Sequence, residues 1–270
     1  MTDWNAAAAQ ALAAVRERRV LVHSITNYVV MNTTANVLLA VGASPVMAHA
    51  REEVEEMSAI AAAVVLNIGT LSPAWVDAMR LAGAAANRRG IPVILDPVGA
   101  GATTYRTSTA RSLAQELEIA VIRGNASEIL SVSGLAAATM GVDAAHDVGE
   151  AARVGAELAT RLGTTVAITG EVDLVTDGET ALEVRAGHRL MGRVTGTGCA
   201  ATVLVAAFCA VDANSVAAAA GALACFGIAG ERAAERAHGP GSFQVALYDS
   251  LASIQPADLH TASRIREVSP

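Results

Sequence analysis

The chain of 270 residues is acidic, rich in small apolar residues and poor in aromatic ones. It carries 26 Asp and Glu against 19 Lys and Arg, a net charge of −7, and only 3% of its residues are aromatic. No stripe of basic residues offsets this charge, so nucleic-acid binding is not expected. The apolar share of 53% is that of a globular chain, whose core must fill with small aliphatic side chains.

The cysteines and the apolar stretches indicate in which compartment of the cell the protein is expected and whether it enters a membrane. Cys199, Cys209 and Cys225 are odd in number and match no zinc or redox spacing, which favours a reducing cytoplasm. The opening residues contain an acid and no basic segment, so no signal peptide is expected. Residues 194–211 and 213–230 carry no charge, but Ala, Gly and polar residues dominate or interrupt them. We predict buried helices there and no membrane contact.

Short β-branched runs alternate with longer helical stretches along the chain. Strands are predicted over residues 20–23, 45–48, 63–67, 92–96, 119–122 and 165–169. Two further strands, 174–176 and 181–184, flank the hairpin signal Asp177-Gly178.

Helix signals lie between the strands. Ser72-Pro73 is typical of a helix start and Gly90 of its end, and Asn125 with Glu128 resembles a capping box. Further helices are predicted over residues 147–162, 199–211 and 213–237. The alternation predicts an α/β fold with a mainly parallel central sheet and helices on both faces. Since no linker is visible, residues 1–270 are expected to form a single domain.

Polar and glycine residues follow the predicted strands at the edge where open α/β sheets bind ligands. These segments are 24–27, 67–70, 96–103, 123–125 and 169–170. The sharpest signal, Gly196-Thr197-Gly198-Cys199, directly precedes an apolar helix. Its backbone N–H groups can form an anion hole for a transferring phosphate, and the alternative is a simple helix cap. No Gly-Lys-Ser/Thr follows, so it is not a P-loop.

Two acids and one arginine complete the pattern expected for phosphoryl transfer. Asp96 and Glu128 are candidates to hold magnesium; the alternatives are an Asp-Pro turn and a helix cap. The guanidinium of Arg123 can form a pair of hydrogen bonds with phosphate oxygens, and the alternative is a surface salt bridge. Thr169 can touch a nucleotide or simply end a strand. His23, His49 and Met47, taken alone, are expected to pack or to bond internally.

Six blocks of sequence resemble the hydroxyethylthiazole kinases, and they extend from Val22 to about Val205. Beyond Ala237 the likeness is only general. The blocks are HSITNYVVMNTTANVLLAVGASPVMAHA, LNIGTLSP, PVILDPVGAGAT, IRGNASEI, AITGEVDLVTDG and VTGTGCAATV.

The resemblance implies a ribokinase-like fold and an activity in thiamine salvage. The implied reaction moves the γ-phosphate of ATP, with Mg²⁺, to the alcohol of 4-methyl-5-(2-hydroxyethyl)thiazole. It implies a homotrimer with active sites between subunits. By motif, Met47 and Gly196 contact the thiazole and Asn27 lies close to it, whereas Arg123 and Thr169 contact ATP. Asp96 and Glu128 organise magnesium, and Gly196, Thr197 and Gly198 form the anion hole.

Cys199 stands where many ribokinase-like enzymes have an aspartate general base, and the resembling family has Cys there. A free thiol has a reference pKa of about 8.5, which a helix N-terminus lowers and phosphates raise. The sequence leaves their balance open. We expect Cys199→Ala to slow turnover moderately and Cys199→Asp to retain or improve it.

Three other readings stay open from the sequence. The chain can be a related kinase for hydroxymethylpyrimidine, pyridoxal or a sugar, although these usually carry Asp at position 199. It can be a ribokinase-like dehydratase that repairs hydrated nicotinamide nucleotides, which is also expected to keep the Asp. It can be a nucleotide sensor without turnover.

Overall fold

The computed structural model describes residues 2–134 and 148–269. Its strands are β1 Leu21–Ile25, β2 Ser44–Val46, β3 Ala63–Asn67, β4 Val93–Asp96, β5 Val121–Asn125, β6 Thr165–Thr169, β7 Asp173–Thr176, β8 Ala181–Val184 and β9 Ile265–Val268. Its helices are α1 Trp4–Arg18, α2 Met31–Val41, α3 Val54–Ile60, α4 Pro73–Asn87, α5 Thr104–Glu116, α6 Ala126–Ser133, α7 Val148–Leu162, α8 Thr197–Cys209, α9 Ser215–Arg236, α10 Pro240–Ser253 and α11 Pro256–Ala262. A 3-10 turn spans Arg189–Arg193.

A nine-stranded sheet has the order β2-β1-β3-β4-β5-β6-β7-β8-β9. The strands from β1 to β6 are parallel, and β6 to β9 pair antiparallel. The register places Asn67 beside Asp96 and Asn125 beside Thr169 at the carboxyl ends. The predicted mainly parallel sheet is confirmed, and the structure adds β9, where the sequence pattern predicts no strand.

Helices cover both faces of the sheet, as predicted. In β3, Val64 and Leu66 point into one hydrophobic cluster and Val65 points into the other, as side-chain alternation requires. The face of Val65 packs against α1, α2, α8, α9, α10 and α11. The opposite face packs against α3, α4, α5, α6 and α7. Burial on both sides explains why the parallel strands are apolar throughout.

Helix α9 belongs to the core. Of the described helices, α9 alone is long and apolar enough to cross a membrane, but 89% of its most apolar stretch is buried inside the fold. A Cβ at Gly221 would lie 3.0 Å from the Cβ of Ala8, so a glycine here lets α9 approach α1 closely. The prediction of a buried helix is confirmed for α9.

Several helix ends agree with the sequence signals. The Ser72 hydroxyl accepts a hydrogen bond from the Trp75 N–H at the start of α4, and the capping box of Asn125 and Glu128 is complete. Helix α4 ends at Asn87, three residues before the predicted end at Gly90, whose positive φ follows in the turn. The predicted helix over 147–162 begins with Asp147, which lies outside the described residues.

Helix α8 begins two residues earlier than predicted, at Thr197 rather than Cys199. The cause is Gly196, which has φ +84° and turns the chain directly into the helix. Thr197 and Gly198 therefore belong to the first helical turn. The next helix begins at Ser215, two residues later than predicted, because the Asn214 side chain caps it by accepting from the Ala217 N–H.

Candidate active site

A cavity of about 380 Å³ lies at the carboxyl ends of the central parallel strands. Its wall combines acids, amides, an arginine and the start of α8. Seven of the predicted site residues line it: Asn27, Asp96, Arg123, Glu128, Gly196, Gly198 and Cys199. The sheet register and the entry into α8 thus bring together side chains that are far apart in the sequence.

The start of α8 has the backbone geometry that the predicted anion hole requires. The first helical bond runs from the Ala200 N–H to the Gly196 carbonyl, so the N–H groups of Thr197, Gly198 and Cys199 precede the helical ladder. The Thr197 hydroxyl donates to the Met191 carbonyl at 2.9 Å, which anchors this turn to the preceding segment. Free N–H groups at a helix start favour a negatively charged ligand.

Asp96 is buried at the end of β4 and is held on one side only. Its Oδ2 accepts hydrogen bonds from Asn67 Nδ2 and Thr202 Oγ1, each at 2.8 Å. Its Oδ1 is buried without a hydrogen-bond partner among residues 2–134 and 148–269. Burial raises the pKa of Asp96 from 3.8 to about 6, against the opposing effect of the nearby Arg123 charge. A carboxylate oxygen left without a partner inside a cavity is ready to receive a cation or a donor.

Glu128 is held by the backbone. Its Oε1 accepts from the Gly99 N–H at 2.9 Å, and its Oε2 accepts from the Asn125 N–H at 2.8 Å. The predicted helix-cap role of Glu128 is therefore real, and the residue also lines the cavity. The two readings of Glu128 are compatible because each carboxylate oxygen has a second lone pair.

The Cys199 thiol is buried in the first turn of α8. It accepts a hydrogen bond from Asn67 Nδ2 at 3.2 Å, and Asn27 Nδ2 lies 3.7 Å from its sulfur. Burial raises the pKa of Cys199 to about 12, and the Asp96 charge adds to the rise. The sequence left open whether the pKa of Cys199 is lowered or raised, and in the structure it is raised. The thiol is therefore neutral in the free protein, which weakens the general-base interpretation.

A second cavity, of about 760 Å³, lies on the other side of the α8 start. Arg123, Thr197 and Gly198 line it together with Thr169, and its far wall is apolar, with Met191, Leu223 and Phe226. Arg123 and Gly198 line both cavities, so the two spaces meet there. The size and the mixed polar and apolar walls of this cavity are suited to a nucleotide.

Arg123 is fixed at this junction. Its Nη2 donates to Thr169 Oγ1 at 2.6 Å, and its Nε is buried with no hydrogen-bond partner in the part of the chain that the structure describes. A Cβ added to Gly198 would lie 2.9 Å from Arg123 Nη1. Glycine at position 198 therefore lets the guanidinium pack against the first turn of α8, where it could form paired hydrogen bonds with an anion. Arg123 is buried, so the surface salt bridge considered from the sequence is wrong.

Comparison with known proteins shows the family of the chain. The model of the hydroxyethylthiazole kinase family matches residues 12–257. The hydroxyethylthiazole kinase of Desulfotalea psychrophila is 53% identical over 269 residues, which cover 100% of this chain and 98% of that protein. The chain belongs to the hydroxyethylthiazole kinase family.

Solved structures support the same assignment. The structure of a hydroxyethylthiazole kinase protein from Pyrococcus horikoshii has a TM-score of 0.90 and 48% identity, and the match covers 97% of this chain and 99% of that one. A ribokinase-like superfamily protein from Enterococcus faecalis is 16% identical with a TM-score of 0.62, over 87% of this chain and 88% of that one. The second match concerns the fold alone, and the predicted ribokinase-like fold is confirmed.

Not every predicted residue joins the cavities of this family member. Met47 follows β2 and is half-buried, and it lines neither of the two cavities. His23 is satisfied internally, as expected: its Nε2 donates to the Ala48 carbonyl at 2.7 Å and its Nδ1 accepts from the Ser58 hydroxyl at 3.0 Å. His49 stacks on Trp75 with ring centroids 4.1 Å apart.

The donors present fit magnesium as a bridge to phosphate rather than a metal enclosed by protein. Among residues 2–134 and 148–269, no group of three or more His, Cys, Asp or Glu could hold a metal ion. Asp96 and Glu128 line one cavity, and Asp96 Oδ1 has no protein partner. Magnesium usually takes one or two carboxylates and fills its other positions with water and substrate phosphates.

Three polar residues of the site have no role predicted from the sequence, although Asn67 lies in one of the polar segments at the predicted edge of the sheet. Asn67 ends β3 and bonds both Asp96 and Cys199. Thr202 is a polar residue within the apolar helix α8, and that contrast could have marked it. Asp173 lines the larger cavity and accepts from the Gly170 N–H, and burial raises its pKa to about 6.

Proposed function

We propose that this chain transfers the γ-phosphoryl group of ATP to the primary alcohol of 4-methyl-5-(2-hydroxyethyl)thiazole in thiamine salvage. The observation that carries the proposal is the junction of two cavities at Arg123 and Gly198. The larger cavity takes ATP and the smaller one takes the thiazole alcohol. Membership of the family supports the choice of alcohol.

In this reaction the alcohol oxygen attacks the γ-phosphorus, the bond to the β–γ bridging oxygen breaks, and ADP leaves. The N–H groups of Thr197, Gly198 and Cys199 and the guanidinium of Arg123 stabilise the charge on the transferring group. Asp96 and Glu128 would hold Mg²⁺, which neutralises phosphate charge when bound.

The alcohol proton needs little help early in this reaction. Phosphoryl transfer passes through a loose transition state in most analyses, so the new O–P bond forms late, and the alcohol proton leaves late, to an oxygen of the transferred phosphoryl group or to water. A neutral Cys199 thiol is compatible with that sequence of events. Positioning and charge stabilisation then account for most of the rate.

We also propose that the smaller cavity is completed by a neighbouring subunit in a homotrimer. Met47 lies outside the cavities of its own chain, and Val29, which lines the smaller cavity, is 68% exposed. Tyr28 beside it is 64% exposed. Exposed apolar side chains at the mouth of a cavity fit an interface.

Subunit mixing tests this assembly. Met47→Asp and Asp96→Ala, each inactive alone, are co-expressed with different tags and the mixed oligomers are purified. Sites that combine an intact Met47 with an intact Asp96 from different chains restore turnover. Light scattering gives the number of subunits, and a monomer with full activity contradicts the assembly.

We further propose that residues 1–270 form one domain of a soluble cytoplasmic enzyme. Burial of α9 in the core supports this, as do three buried cysteines without disulfides among the described residues.

The reaction is tested by ADP release from MgATP with the thiazole alcohol, beside hydroxymethylpyrimidine and pyridoxal, with mass detection of the product. The proposal expects a phosphorylated thiazole that forms only with Mg²⁺. Turnover with another alcohol alone overturns the substrate. ATP binding without any turnover favours the dehydratase or the sensor.

A further inference from the structure

The side-chain amide of Asn67 lies at the centre of the polar network below the smaller cavity. It is buried, with 1% of its surface exposed. Its Oδ1 accepts from Asn27 Nδ2 at 2.9 Å and from the Gly69 N–H at 3.0 Å. Its Nδ2 donates to Asp96 Oδ2 at 2.8 Å and to Cys199 Sγ at 3.2 Å. Both hydrogens and both acceptor positions of this amide are therefore used.

The partners of Asn67 fix which way its amide points. A backbone N–H at Gly69 requires an oxygen on one side, and the Asp96 carboxylate requires a donor on the other. Gly69 also makes room for this arrangement, because a Cβ there would lie 2.5 Å from Asn27 Nδ2. The amide thus has one orientation that satisfies every neighbour.

The orientation of the Asn67 amide determines which oxygen of Asp96 accepts its hydrogen bond. Asn67 and Thr202 both bond Oδ2, and none of the described residues is a hydrogen-bond partner of Oδ1. We propose that Asn67 is a positioning residue, which holds the Asp96 carboxylate so that Oδ1 is the oxygen offered to a magnesium ion. The inference rests on the proposed function, because it concerns the group that Asp96 serves there.

The expected loss of activity on removing Asn67 can be estimated from other sites in which a neighbouring residue orients a metal-binding carboxylate. Loss of such a partner typically lowers metal affinity or activity by about 10-fold to 100-fold. Without Asn67 the carboxylate keeps only Thr202 and can turn about its own axis. The effect is expected in kcat and in Mg²⁺ dependence, because Asn67 itself lines neither cavity.

Two substitutions test the role. Asn67→Ala removes the donor, and we expect kcat to fall about 10-fold to 100-fold while KM for ATP changes by less than about three-fold. Asn67→Asp keeps the shape but sets a second carboxylate against Asp96, and we expect a larger loss than in Asn67→Ala.

Asn87→Ala is the matched control, because Asn87 also makes two hydrogen bonds, to the Glu118 backbone at the opposite end of the sheet. We expect its kcat to match the wild type. Wild-type kcat in Asn67→Asp, or equal losses in Asn67→Ala and Asn87→Ala, overturns the proposal.

A binding measurement separates this inference from the proposed reaction. Calorimetry of ADP binding is carried out with and without Mg²⁺ on the wild type and on Asn67→Ala. We expect the Mg²⁺-dependent gain in ADP affinity to shrink about ten-fold in the variant, with unchanged affinity in the absence of Mg²⁺. An unchanged gain overturns the role of Asn67, even if the wild type phosphorylates a different alcohol or none.

A double variant tests whether the loss of kcat in Asn67→Ala arises through Asp96 or through Cys199. For this test Asn67→Ala is introduced into the Cys199→Ala variant. Asn67 also bonds the thiol, so a loss that runs through Cys199 would disappear once the thiol is gone. We expect the kcat loss from Asn67→Ala to persist there, because it runs through Asp96. Disappearance of the loss contradicts the assignment.

Discussion

The two ends of the sheet carry similar polar residues, but the polar atoms cited at the amino end have hydrogen-bond partners, whereas some at the carboxyl end do not. At the amino end, Asn87 exchanges two bonds with the Glu118 backbone, and the Thr165 and Ser215 hydroxyls bond at 2.6 Å. At the carboxyl end, Asp96 and Arg123 are buried, and each has one polar atom with no hydrogen-bond partner among the described residues.

The difference shows where this family member gives up stability for function. Buried polar groups are almost always satisfied in folded proteins, because each unsatisfied one costs about 1–3 kcal/mol. Asp96 and Arg123 leave their free atoms beside the cavities that would receive magnesium and phosphate. Substitutions at the carboxyl end are thus expected to change kinetics, and equivalent ones at the amino end to change only stability.

The largest expected effect comes from Asp96→Asn, which lowers kcat by about 10³-fold because the charged oxygen is lost. The same change stabilises the free protein. Burial raises the folded pKa to about 6 from 3.8, so this group's contribution to stability is present below 3.8 and is lost as the pH rises through about 6.

Unfolding at several pH values without Mg²⁺ measures the gain. Asp96→Asn is expected to exceed the wild type by about 2–3 kcal/mol at pH 8, and by much less at pH 4. A variant that is less stable than the wild type at pH 8 would refute the burial argument.

Gly198→Ala is expected to lower kcat/KM for ATP by about 10-fold to 100-fold. The added methyl group would lie 2.9 Å from Arg123 Nη1, which must move away from the anion hole. Gly241→Ala is the control, because a Cβ there meets no atom within 4 Å. Equal kinetics in both variants would remove Arg123 from the phosphate site.

Cys199→Ala is expected to slow turnover by less than about 100-fold, because a neutral thiol is not the base that supplies 10²–10⁴-fold. Cys199→Asp is expected to retain or improve turnover. Steady-state kinetics over a range of pH decide the matter. A folded but inactive Cys199→Asp variant would exclude a base at this position.

Thr202→Val is expected to have the smallest kinetic effect, a loss of about 2-fold to 10-fold in kcat, since Asn67, whose amide is fixed by Asn27 and by the Gly69 N–H, still holds Asp96 Oδ2. Thr165→Val removes a buried hydroxyl at the amino end and is expected to leave kcat unchanged. Both variants are expected to lose about 1 kcal/mol of stability. A larger kinetic loss in Thr165→Val would reverse the comparison between the two ends.

The sequence predicts most of the sheet and the position of the site. Apolar runs identify the parallel strands to within a few residues, because both faces are buried. The same reasoning does not find β9, where Arg266 and Glu267 are exposed and the strand is held by backbone pairing with β8. No apolar run marks such an edge strand.

The site was predicted less completely. Asp96, Arg123 and the α8 start could be placed from strand ends and glycines. The role of Asn67 depends on its register against Asp96, and that of Thr202 on the turn of α8 that faces Asp96. The pKa of Cys199 depends on burial, which no local pattern reveals. Packing between distant segments decides all three.

The central claim is that ATP and the thiazole alcohol occupy two cavities that meet at Arg123 and Gly198, so the phosphoryl group passes directly between them. Initial rates measured with both substrates varied, in excess Mg²⁺, test this most directly. The account predicts intersecting double-reciprocal lines and phosphorylated thiazole as the product. Parallel lines, with a phosphorylated protein isolated after ATP alone, would contradict it.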